Sequence, residues 1–147
     1  TIKDELHPEG LDASKTVWAT ASYSGESYMK ASGYISKKQR DSESWLTSPV
    51  VDLTAAKSAK LTFTHALNNL KGGKIEEHIF LMAKKESDAK WTALTIPAGP
   101  TGTSYDKFEA KDIDLKAFVG SKMQFAFVYK STTACAPTWQ IYNAKVE

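Results

Sequence analysis

The side chains of this chain that could perform acid, base or nucleophilic chemistry are three histidines, one cysteine and a scatter of carboxylates. A hydrolytic triad needs a nucleophile, a base and an orienting acid within reach of one another. No serine sits in a GxSxG elbow. Cys135 lies between Ala134 and Ala136 with no CxxC spacing, and reads as a small loop or semi-buried thiol. As the only cysteine it closes no intrachain disulfide. His7 stands in a charged N-terminal stretch. His65 falls on the inward face of an alternating segment and reads as a core histidine, whereas His78 is out of phase with Ile79 and Leu81 and is expected to face solvent or a concave sheet surface. For glycosidase chemistry the candidates are Glu76, Glu77, Asp106, Glu109, Asp112 and Asp114. Neighbours on a strand point to opposite faces, so Glu76 and Glu77 cannot line one pocket. HxH, HExxH and DxDxDG patterns are missing, which removes zinc and EF-hand calcium on spacing. The chain is expected not to be an enzyme.

The aromatic residues make the positive case. Sugar-binding surfaces stack flat rings on the apolar faces of pyranoses and place amide, carboxylate or hydroxyl groups beside them. The chain has four Trp, six Tyr and six Phe. Trp18, Trp45, Trp91 and Trp139 read as core. Tyrosines near turns are the better candidates, and the expected ligand-binding set is Tyr23, Glu26, Tyr28, Tyr34, Tyr105, Tyr142 and Asn143. Within it, the segment 23–28 offers two rings flanking Ser24, Glu26 and Ser27.

Strands must position these groups. Leu61, Phe63 and His65 alternate with Thr62 and Thr64, and Met123, Phe125, Phe127 and Tyr129 alternate with Gln124, Ala126, Val128 and Lys130, each giving one aromatic-rich face. Further strands are expected over 17–23, 28–34, 75–84, 91–96, 105–113 and 138–146, punctuated by Asn68-Asn69, Gly72-Gly73 and Pro97-Ala98-Gly99-Pro100. Short helical turns are expected at 53–57 and 115–120. About eight or nine short strands without a βαβ rhythm predict an all-β fold of two packed antiparallel sheets. Residues 1–16 are expected to be a linker or arm leading into a single domain over 17–147; the first dozen carry charge, Pro8 and Gly10 and little apolar material.

Charge and hydropathy exclude other classes. A formal charge of +2 from 19 basic and 17 acidic residues makes no field that would draw in nucleic acid. No run approaches the roughly 18 apolar residues of a membrane span, so no direct membrane insertion is expected. The chain begins at Thr1 and reads as a piece of a longer processed protein, so that any export signal is expected upstream.

The run Asp41-Ser42-Glu43-Ser44-Trp45-Leu46-Thr47-Ser48-Pro49-Val50-Val51-Asp52-Leu53, followed by the alternating segment from Lys60, resembles the choice-of-anchor J and cleaved-adhesin jelly rolls of Bacteroidetes surface and secreted proteins. Ala31-Ser32-Gly33-Tyr34, the segment from Asp112 to Gly120, and Thr138-Trp139-Gln140-Ile141 continue the resemblance over 17–147. It implies a jelly-roll sandwich of the galactose-binding or MAM-like kind. It further implies a noncatalytic extracellular or cell-surface module, exposed at the outer membrane, that binds glycan or a surface protein beside neighbouring domains of a longer chain. Alternatives are a structural spacer and a small glycan-acting hydrolase. Trp45 and Trp139 fall at the family's core-like positions. With Pro49 at a strand edge or bulge and the Trp45 indole packed inward, Trp45→Ala is expected to cost about 3 to 5 kcal/mol. Many such jelly rolls hold a structural Ca²⁺ through an early carboxylate and an aspartate in a last-strand pattern like W-x-I-D-N-V. Here Tyr142 replaces that aspartate and Asn143 keeps a carbonyl ligand, so no cofactor is expected and a structural Ca²⁺ lacks its charged ligand.

Overall fold

The computed structural model describes residues 1–147. It contains no α-helix and thirteen strands. In chain order these are β1 (Ile2–Leu6), β2 (Trp18–Tyr23), β3 (Glu26–Ser32), β4 (Tyr34–Ile35), β5 (Lys38–Gln39), β6 (Ser42–Thr47), β7 (Val51–Asp52) and β8 (Lys60–Asn68). There follow β9 (Ile79–Lys85), β10 (Thr92–Leu94), β11 (Phe108–Asp114), β12 (Lys122–Ser131) and β13 (Thr138–Val146). The first sheet has the order β1-β6-β12-β9-β10, with β7 also on β12, and the second the order β11-β8-β13-β3-β2. All pairings are antiparallel, and β4 with β5 makes a separate small hairpin. This is the all-β fold of two antiparallel sheets expected from the alternation of polar and apolar residues, in the jelly-roll sandwich form that the family resemblance implies. No helix is long and apolar enough to cross a membrane.

The core lies between the inner faces of β8 and β12, whose period-two patterns each turn one side inward. Leu61, Phe63, Phe125 and Phe127 are all buried there. Phe63 meets Phe127 edge-on with centroids 4.8 Å apart, Phe127 meets Trp139 at 5.8 Å, and Trp139 meets Trp18 at 5.4 Å. Tilted and edge-to-face contacts of this kind add about 0.5–1.5 kcal/mol each beyond area burial. At one end of β12 the Tyr129 hydroxyl donates to the Pro137 carbonyl and accepts the Gly33 N–H at 2.8 Å. Burial pushes that phenol well above its ordinary pKa. Gly33 is required there, because a Cβ would overlap the Ser131 hydroxyl.

Four expectations are corrected. Part of the segment 1–16, read as a linker or arm, forms the edge strand β1 on β6. The buried carboxylate of Asp4 fastens it, accepting from the Ser44 hydroxyl at 2.6 Å and the Val17 N–H at 3.2 Å, and meeting His7 Nδ1 at 2.7 Å. Trp45 does not pack inward. Ser42 and Ser44 are the buried residues of β6, while Trp45 is half-buried against Trp91 at 5.3 Å with its Nε1 donating to Glu43 at 2.9 Å. The sandwich accepts two serines inside because each is hydrogen-bonded, Ser42 to Ser131 and Ser44 to Asp4. His78 is buried, not solvent-facing: residues 75–77 form a 3₁₀ turn instead of a strand, and His78 Nδ1 donates to the Lys130 carbonyl at 2.8 Å. Residues 53–57 make a turn, not a helical element, whereas Lys116–Phe118 is a 3₁₀ turn as expected.

Candidate functional site

The outer face of the second sheet carries polar and aromatic side chains, some exposed and others, such as Gln140, buried among their neighbours. Register sets which ones. Gln140 of β13 lies opposite Lys30 of β3 and Ala66 of β8, and Tyr28 of β3 lies opposite Ala21 of β2. Because Trp139 and Ala31 face the core, their neighbours Gln140, Lys30, Tyr28 and Glu26 face outward in alternation. The register of β13 shifts between Ile141 and Asn143, so Tyr142 occupies an irregular position beside β3.

Two depressions share Lys30 and together form one groove. The first, about 620 Å³, is lined by Tyr23, Ser24, Glu26, Tyr28, Lys30, Tyr105, Lys107, Gln140 and Tyr142. In it the rings of Tyr28 and Tyr142 lie 5.2 Å apart at 45°. The Tyr142 hydroxyl donates to Gln140 Oε1 at 2.7 Å. Lys107 is ion-paired with Glu26 and holds its Nζ 4.3 Å from the Tyr142 ring centroid, a cation–π distance. Burial raises the Tyr142 pKa above the ordinary phenol value, so the hydroxyl stays protonated and can donate at neutral pH. The second depression, about 460 Å³, brings Tyr34, Asn69, Lys71 and Thr138 to the other side of Lys30. Asn69 Nδ2 donates to the Tyr105 hydroxyl at 3.2 Å and so ties the two ends together. Lys71 Nζ stands 6.0 Å from the Tyr34 centroid.

Of the residues singled out from sequence, Tyr23, Glu26, Tyr28, Tyr105 and Tyr142 come together in the first depression. Tyr34 lies in the second. Asn143 is exposed and lines neither. Lys30, Lys107, Asn69 and Lys71 were not anticipated. Single lysines look like ordinary solvated surface in sequence, and the signal that distinguishes Lys107 is its tertiary placement over a ring. Gln140 was not in the expected set either, although it is an amide two residues from Tyr142.

The groups considered for catalysis do not assemble. Cys135 is buried with its Sγ donating to the Leu70 carbonyl at 3.0 Å, and burial pushes its thiol pKa up, the opposite of an activated nucleophile. Nowhere do three or more His, Cys, Asp or Glu side chains gather as metal ligands. At the last-strand position where the family resemblance implies calcium, the Tyr142 hydroxyl donates to Gln140 Oε1.

No protein-family profile and no curated protein sequence matches the chain. Among solved structures, the family 30 carbohydrate-binding module of the cellulosomal cellulase Cel9D-Cel44B of Clostridium thermocellum overlays with a TM-score of 0.55 at 14% identity, covering 98% of this chain and 89% of that one. TmCBM61 in complex with beta-1,4-galactotriose gives 0.52 at 10% identity, covering 98% and 87%. The K1 cleaved adhesin domain of Lys-gingipain from Porphyromonas gingivalis W83 gives 0.46 at 15% identity, covering 100% and 98%, and adds no argument at that overlap. At these identities the first two likenesses show a shared sandwich fold.

Proposed function

We propose that this chain is a noncatalytic glycan-binding module and that the groove over the outer face of the second sheet is its binding surface. The observation that carries the reading is the Tyr28–Tyr142 ring pair, flanked in one depression by Gln140, Glu26 and Lys107. Rings supply stacking faces for pyranoses, and the amide and charged pair supply donors and acceptors for hydroxyls. The fold shared with the two carbohydrate-binding modules supports the same reading, one of them holding beta-1,4-galactotriose. A pure spacer would show no clustered exposed aromatics. A hydrolase would bring a nucleophile to a displaced base within the cleft; of the two displaced histidines, His65 has its Nδ1 occupied by the Trp139 indole, and His7, held by Asp4 and the Leu11 carbonyl, lines neither depression.

The finer assignment, also a proposal, is an extracellular or cell-surface module of the choice-of-anchor J or cleaved-adhesin kind, joined to further domains and attaching its parent protein to glycan. A glycan array probed with the isolated domain, including beta-1,4-linked galactose oligomers and repeated with a calcium chelator, tests it. Binding that survives the chelator and is lost on Tyr28→Ala/Tyr142→Ala supports the groove. Failure to bind any glycan contradicts it.

A further inference from the structure

A second concavity lies between the sheets, on the side where β10 and β11 form their edges. It measures about 490 Å³, within the range of small-molecule sites. Its wall is apolar, drawn from Ile75, Ile79, Leu81, Leu94 and Ile96, and the loop 95–100 closes it. None of its lining residues belongs to the glycan groove. The one charged residue on it, Glu76, is exposed.

His65 also lines this pocket and is 99% buried, its relative exposure being 1%. Its tautomer is fixed by its neighbour. The Trp139 indole can only donate, and its Nε1 lies 3.1 Å from Nδ1 of His65, so Nδ1 accepts and the ring proton resides on Nε2. That Nε2 has no hydrogen-bond partner in the protein. It points toward the closing loop, since a Cβ built on Gly99 would stand 3.4 Å from it. Burial holds the imidazole neutral, lowering its pKa to about 4. A buried donor left unpaired costs free energy that a Phe or Leu at this position would avoid. Its presence in an otherwise apolar wall gives the pocket a single directional contact.

We propose that this pocket binds a small neutral molecule with an apolar body and one hydrogen-bond acceptor, a carbonyl or ether oxygen that takes the Nε2–H of His65. An anion would meet the Glu76 carboxylate, and beyond the exposed Thr95 hydroxyl the neutral side chains of the wall offer a ligand with several polar groups no further partner.

The test is an NMR titration of the whole 147-residue chain with cyclohexanone and with methylenecyclohexane, in which C=CH₂ replaces C=O. The ketone should shift the His65 Nε2 resonance together with the Leu94 and Ile96 methyls, and should bind about tenfold more tightly than the alkene, the worth of one good hydrogen bond. His65→Phe should abolish the preference while leaving alkene affinity within about twofold. Gly99→Ala, which intrudes beside Nε2 without touching the Trp139 contact, should weaken the ketone several-fold and serves if His65→Phe does not fold. Equal affinity for the two compounds, no shifts up to the ketone's solubility limit, or shifts confined to groove residues would overturn the proposal.

Discussion

The Trp139 indole N–H donates to His65 Nδ1 across 3.1 Å inside the core, and this fixes a neutral histidine at the centre of the sandwich. Its pKa is lowered by burial to about 4 from 6.5. Between those values the unfolded chain binds a proton that the folded chain does not, so stability must fall as pH falls from about 6.5 toward 4. The loss approaches about 3 kcal/mol, from roughly 1.36 kcal/mol per pKa unit. Urea unfolding at intervals across that window should show it, and His65→Phe should flatten the slope. His7 acts with the opposite sign. The Leu11 carbonyl, then the Asp4 carboxylate, raise its pKa, so its contribution is present below 6.5 and lost as pH rises through the folded value.

Trp45 and Trp139 are expected to differ sharply on truncation. Trp139 is fully buried between three aromatic neighbours, and Trp139→Ala should cost about 3–5 kcal/mol. Trp45 lies half-buried on the outer side of the first sheet, so Trp45→Ala should cost about 1–2 kcal/mol, its loss being mainly the contact with Trp91. Equal melting-temperature losses for the two variants would contradict the outward placement of Trp45.

Gly33→Ala should destabilise by about 1–3 kcal/mol, the usual range for forcing extra volume into a packed site. The added methyl overlaps the Ser131 hydroxyl, which donates to the Arg40 carbonyl at 2.7 Å, and it sits beside the N–H that Tyr129 receives. Gly25→Ala, in open space, provides a comparison in which only the positive φ of 79° contributes. Thermal melts of the two should rank Gly33→Ala as the more damaging.

The central strands were legible because their periodicity is tied to one buried face. Leu61-Phe63-His65 and Met123-Phe125-Phe127-Tyr129 could pack only one way. Strand β1 was not legible, because what holds it is the Asp4 carboxylate reaching Ser44 and Val17, a tertiary arrangement that a charged sequence does not announce. Trp45 misled for a related reason. Hydrophobicity favours an indole inside over a serine, and only the hydrogen bonds available to Ser42 and Ser44 reverse the order. In the groove, Tyr28 and Tyr142 were legible as rings beside polar groups, yet their meeting depends on the pairing of β3 with β13, and Lys107 arrives from the loop before β11.

The most direct test of the groove is isothermal titration of a glycan selected by array against the parent domain and Tyr28→Ala/Tyr142→Ala. Both rings lie outside the core, so the variant should retain the parent's fold by circular dichroism. Losing two stacking contacts at about 0.5–1.5 kcal/mol each corresponds to roughly fivefold to 150-fold weaker binding. Affinity reduced within that range, with the fold intact, is the result predicted. Undiminished affinity in the folded variant would contradict the assignment of glycan binding to this groove.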